Sequence, residues 1–115
     1  MVEYKLNTHL NGILKALADD NRRRLLELLI AEGACRVTDI AKHFDMSLNA
    51  VSKHIKVLEN EKLVIRTTQG RTHWIKANTA PLKVVEQWLG GLKSDWEKRL
   101  DSLEQVLASS AHVRT

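Results

Sequence analysis

Six basic residues, Lys53, Lys56, Lys62, Arg66, Arg71 and Lys76, fall between positions 47 and 76, where the only acids are Glu59 and Glu61. Six against two leaves a local net of +4, the whole excess of a 115-residue chain that carries 18 Lys and Arg against 14 Asp and Glu. The chemistry open to such a cluster is phosphate neutralisation, because each cation that meets a phosphate releases condensed counterions. A solvated basic surface has the same composition, so the cluster gains meaning only from the elements that position it.

Those elements are legible. Leu48, Val51, Ile55 and Leu58 recur at spacings of three and four, predicting a helix over residues 47–60 with Ser47 as its cap. On the side opposite that stripe stand Asn49, Lys53 and Lys56, with Ser52 on the shoulder. The DNA major groove admits one helix, and short polar side chains at its N-terminal end can hydrogen-bond base edges. The Asn49 amide suits adenine, Ser52 can donate or accept, Lys53 can reach guanine acceptors or a phosphate, and Lys56, further along, suits a phosphate. His54 sits beside the apolar stripe and is expected to pack at the helix boundary, the alternative being a DNA contact.

A shorter helix, from Thr38 as cap to Phe44 with Ile40, Ala41 and Phe44 apolar, precedes it. The turn Asp45-Met46-Ser47 joins the two as a helix-turn-helix. Residues 63–68 and 71–77, rich in β-branched and aromatic types, flank Gln69-Gly70 and read as a hairpin. The hairpin tip is polar, with Gln69, Arg71 and Thr72, and suits contact with the DNA backbone or minor groove; an ordinary solvated turn is the alternative. Ser47 and these three residues complete the set of candidate DNA contacts.

Upstream, Leu6, Leu10, Ile13, Leu14 and Leu17 predict a first helix over residues 6–18. Asp19-Asp20-Asn21 then supplies caps for a second over 21–31, which Gly33 ends. Downstream, Thr79-Ala80-Pro81 opens a long last helix with Leu82, Val85, Trp88, Leu92, Trp96, Leu100, Leu103 and Leu107 at spacings of three and four. Gly90-Gly91 predicts a kink in it, with Ser94 to Glu97 as a capping box for the restart. Its apolar stripe is longer than one small body covers, so a symmetric partner is expected, with Trp88 and Trp96 as anchors. Mixed charges along it argue against a membrane surface.

The remaining composition bounds the class. The length suits a single domain, residues 1–115, with dimerisation helices at about 6–18 and 80–108. No apolar run approaches the roughly 20 residues of a membrane span and no leader pattern opens the chain, so a cytoplasmic protein is expected. Phosphate-loop, nucleophile-elbow and zinc-hydrolase motifs are missing, so no enzyme is expected. The lone Cys35, next to Arg36 and near a helix start, could favour a thiolate and act as a redox sensor; a small packed residue is the alternative.

Several segments in order carry a resemblance: Leu14 to Asp19, then Arg22, then Phe44 to Glu59 (FDMSLNAVSKHIKVLE), then Gly70-Arg71 before a strand. Over residues 8–105 the chain resembles the ArsR/SmtB-type winged-helix repressors. The resemblance implies a mainly α fold with a small β-hairpin wing, a winged helix-turn-helix whose first and last helices pack across a dimer axis. It also implies a homodimeric transcriptional regulator that binds double-stranded DNA at a pseudo-palindromic operator. Leu10, Leu14, Trp88, Leu92, Trp96, Leu100 and Leu103 are then the expected dimer contacts. The metal-sensing members carry Cys-Val-Cys-Asp where this chain has Arg36-Val37-Thr38-Asp39. No His lies in residues 79–110, and His9, His43, His54, His73 and His112 are never three or four apart. The expectation is therefore the branch without those metal-site motifs, with no metal and no cofactor and with an inducer that no motif identifies. A winged helix that binds protein, or a redox-responsive regulator using Cys35, are the competing readings, and the basic outer face of residues 47–60 favours DNA over the former.

Overall fold

The computed structural model describes residues 2–114, and the side-chain surroundings of residues 7–109. In chain order it forms α1 (Val2–Leu17), α2 (Asp20–Glu32), β1 (Cys35–Arg36), α3 (Val37–Phe44), α4 (Leu48–Asn60), β2 (Val64–Gln69), β3 (Thr72–Ala77) and α5 (Leu82–Arg114). Two units are distinct: one runs to Val85, and the other is the remainder of α5 from Glu86. No helix among the described residues is long and apolar enough to cross a membrane.

The first unit is built around apolar side chains that the helices contribute at helical spacing and β2 and β3 add from one face of the sheet. Ile13 of α1, Leu25, Leu26 and Leu29 of α2, Ile40 of α3, Val51, Ile55 and Leu58 of α4, and Leu63, Val64 and Ile75 at the sheet form one core, with Leu82, Val84 and Val85 packed at its edge. α1 starts four residues before the expected position; the side chain of Leu6, first of its expected stripe, lies outside those described. Its last carbonyls are capped from the next helix. Arg22 donates to Ala16 O (2.6 Å) and Lys15 O (3.2 Å), and Arg23 donates to Leu17 O (2.6 Å), placing cations at the negative end of the helix dipole. Asp19 caps α2 by accepting the Arg22 backbone N–H at 3.0 Å, and Gly33, at φ 82°, ends it with its N–H on Leu29 O.

The sheet departs from the expected hairpin in two ways. It has three antiparallel strands in the order β1-β3-β2, because Cys35 and Arg36 pair with Ile75 and Trp74. Since Arg36 is still extended in that strand, it and not Thr38 is the residue before α3, and no side chain among the described residues caps the helix. The turn lies one residue later than expected: Gln69 pairs with Thr72, leaving Gly70-Arg71 as the two-residue loop. Gly70 takes φ 63° at the first central position, where a loop of the II′ kind requires glycine.

Below the hairpin, Asn78 joins three segments. Its side-chain amide donates to Lys62 O at 2.8 Å, its backbone N–H donates to Leu63 O at 2.8 Å, and its side-chain oxygen accepts the Ala80 N–H at 3.4 Å. α5 begins after Pro81, with Leu82, Lys83 and Val84 donating three residues back in a tight first turn. It then runs as one helix to Arg114, so the separate restart expected at Ser94 does not occur. Glycine weakens a helix but keeps its N–H, and the flanking residues Trp88, Leu89, Leu92 and Lys93 sustain the helical ladder.

Candidate nucleic-acid interface

α3 and α4 meet through a left-handed residue, Asp45 (φ 51°), whose conformation lets Met46 N–H return to Ala41 O at 3.1 Å. Ser47 then caps α4 by accepting the Ala50 N–H at 3.1 Å, as its position suggests. The Ser47 hydroxyl proton is left over at the positive end of the helix dipole, suited to a phosphate oxygen. Val51, Ile55 and Leu58 are fully buried and fix the rotation of α4 about its axis. The hairpin of β2 and β3 is fixed against the helix by an ion pair: Arg66 Nε and Nη2 lie 3.2 and 3.4 Å from the two Glu59 carboxylate oxygens.

Between that hairpin and α4 lies a groove of about 530 Å³ lined by Arg36, Val37, Thr38, Leu48, Ser52, Lys56, Arg66, Arg71, Thr72 and His73. Its lining holds four Arg or Lys and no acid. Arg36 is engaged with Asp39 (2.9 Å) and Arg66 with Glu59, whereas Lys56 and Arg71 form no ion pair among the described residues. Of the eight candidate DNA contacts, the groove brings together Ser52, Lys56, Arg71 and Thr72. Ser47, Asn49, Lys53 and Gln69 are exposed outside its lining. Thr68 and His73 face each other across the hairpin, Oγ1 to Nδ1 at 3.2 Å.

Three features escape the sequence. The start of α3 contributes Arg36, Val37 and Thr38 to the groove only because β1 runs straight into that helix. His73 enters it through its register opposite Thr68. Leu48, expected in the core stripe, is 52% exposed and lines the groove instead: it is the first residue of α4 and overhangs the core that holds Val51.

On the opposite flank, His54 is half-buried with Nδ1 3.8 Å from the Asp19 carboxylate, which places it at the helix boundary as expected. Cys35 is half-buried and packs against the core. Its thiol pKa is raised above its ordinary value, by burial first and then by the charges of Glu32 and Asp39, while the Arg36 guanidinium that would have favoured a thiolate is paired with Asp39. Among the described residues no three of His, Cys, Asp and Glu are grouped so as to hold a metal ion. Beyond Val85, Trp88 (42% exposed), Leu89, Leu92, Trp96 (62% exposed), Leu100, Leu103, Val106 and Leu107 of α5 are all open, whereas Leu10 and Leu14 of α1 are half-buried.

Two helices joined by a tight turn, followed by an antiparallel hairpin beside the second, define a winged helix-turn-helix protein. Residues 17–67 match the family described as a helix-turn-helix domain. The arsenical resistance operon repressor of Staphylococcus aureus is 36% identical over 78 residues, 68% of this chain and 74% of that one. The transcriptional repressor SdpR of Bacillus subtilis is 30% identical over 80 residues, 70% of this chain and 88% of that one. A crystal structure of an ArsR family transcriptional regulator superposes with a TM-score of 0.73 at 38% identity, covering 79% of this chain and 93% of the other. The chain belongs to the ArsR family of winged helix-turn-helix transcriptional regulators.

Proposed function

We propose that this chain is a cytoplasmic, homodimeric repressor that binds duplex DNA at a pseudo-palindromic operator and has no catalytic role. In this reading α4 enters the major groove while the β2–β3 wing follows the adjacent backbone. Ser47, Asn49, Ser52 and Lys53, on the N-terminal half of α4, meet base edges and phosphates, and Lys56, Gln69, Arg71 and Thr72 meet the backbone. Leu10, Leu14, Trp88, Leu92, Trp96, Leu100 and Leu103 pack across the two-fold axis, so that two such faces meet half-sites about one helical turn, roughly 34 Å, apart.

The observation that carries the reading is the groove between α4 and the wing, with four cations, no acid, and Lys56 and Arg71 left without an ion-pair partner among the described residues. A protein partner poor in acidic residues has no use for that imbalance, whereas a phosphate backbone neutralises it. The test is the salt dependence of binding to duplex DNA. Lys56→Ala and Arg71→Ala each weaken binding to all sequences and lower the slope of log affinity against log salt by about 0.9 for each phosphate no longer neutralised. A slope equal to the wild type's in both variants overturns the assignment.

A further inference from the structure

We propose that Leu48 determines specificity by packing on the C5-methyl group of a thymine in each operator half-site. The inference rests on the DNA-binding reading above and adds a chemical feature of the operator. Leu48 is the first residue of α4, at the end of the helix that lies closest to base edges in this class of docking. It is more than half exposed and lines the groove together with Ser52 and Lys56, so residues 48, 52 and 56 form one row at four-residue spacing. The row is graded, apolar at the start of the helix, hydroxyl in the middle, cationic at the far end. Val37, half-buried at the start of α3, extends the apolar end.

Among the described residues, nothing in the groove covers Leu48 fully. The edges that DNA presents in the major groove are hydrogen-bond donors and acceptors, with one apolar exception, the thymine methyl. A Leu side chain held at the base-reading end of the helix therefore complements thymine and is indifferent or unfavourable to the polar edge of the other bases, while Lys56 reaches the phosphates.

The experiment uses the purified chain and duplexes enriched by it from a random-sequence DNA library. Each thymine of the enriched half-site is replaced in turn by deoxyuridine, which removes only the methyl group. For the wild type, one position per half-site should lose about fourfold in affinity on that replacement, the worth of one methyl group removed from water. Leu48→Ala should bind the thymine and deoxyuridine duplexes alike. A wild type indifferent to every replacement overturns the inference, as does a Leu48→Ala variant that keeps the wild-type preference for thymine; the first comparison needs no variant at all. Enrichment of a sequence with salt-sensitive binding, but without a deoxyuridine effect, overturns the role of Leu48 and leaves the DNA-binding reading standing. No enrichment and no salt-sensitive binding overturn both.

Discussion

The Asp19 carboxylate serves two helices, accepting the Arg22 backbone N–H at the start of α2 and facing His54 of α4 at 3.8 Å. The backbone hydrogen bond is the main cause of its lowered pKa; partial desolvation opposes it, and the Arg22 and His54 charges add to it. A carboxyl more acidic in the folded chain than in the unfolded one contributes stability above its ordinary pKa and loses it as pH falls through the folded value, because the unfolded chain then binds the proton first. Asn caps a helix about as well as Asp, so Asp19→Asn removes the charge and keeps the hydrogen bond. Its melting temperature should fall less than the wild type's between about pH 5 and pH 2. Parallel melting curves for the two proteins across that range would show that the carboxylate's charge contributes nothing. At Cys35 the same kind of argument runs the other way: burial first, then the charges of Glu32 and Asp39, raise the thiol pKa, which lowers its thiolate fraction.

At the scale of elements, the unbroken course of α5 through Gly90 and Gly91 has a measurable consequence. Among the described residues, a Cβ at either glycine meets nothing within 4 Å, and neither has a positive φ. Alanine at each therefore adds helix propensity without strain, about 1 kcal/mol per site. The double variant Gly90→Ala/Gly91→Ala should show a stronger helical circular dichroism signal and slower amide exchange around both positions. A weaker signal would mean that the bare backbone is used for close approach by another chain. Much of the fold was legible because its signals are local: Ser47 and Asp19 announce α4 and α2 by a side-chain acceptor set just before an apolar stripe, and the structure uses both that way. What was not legible depends on partners distant in sequence. Cys35-Arg36 is a strand only because Ile75 and Trp74 lie beside it, and two residues have no periodicity of their own. Leu48 fits the stripe of Val51 and Ile55 by angle, but periodicity reports direction around the helix axis and not whether core extends beneath the first turn. Half of the candidate DNA contacts meet in the groove; the rest of its lining is Leu48 of α4, Arg36 to Thr38 where β1 runs into α3, and Arg66 and His73 of the sheet, and which of these face the groove depends on strand pairing and helix docking that the chain alone does not display.

For the whole molecule, the charge excess and the apolar excess fall on different parts. The charge lies on α4 and the hairpin, whereas beyond Val85 a single helix carries Trp88, Leu89, Leu92, Trp96, Leu100, Leu103, Val106 and Leu107 with no core of its own. A lone amphipathic helix draws most of its stability from packing, and a stripe of that length exceeds the apolar patch a monomer ordinarily exposes. A second copy supplies an identical stripe, and Trp is the residue type most often found to dominate such interfaces. If α5 is the dimer contact, Trp96→Glu places a charge where two stripes meet and costs about 2 kcal/mol or more, a shift of roughly thirtyfold in the dimerisation constant. Sedimentation at micromolar concentration should then show the wild type at twice the 13.1 kDa chain mass and the variant moving toward the single mass. The variant should also lose DNA affinity through loss of the linked second half-site, with each remaining protomer keeping its own salt sensitivity. Lys56→Ala separates the two effects, since it weakens DNA binding while leaving the mass at that of a dimer. A wild-type chain that sediments at 13.1 kDa under these conditions would instead assign the stripe to a different partner and remove the two-fold operator from the functional reading.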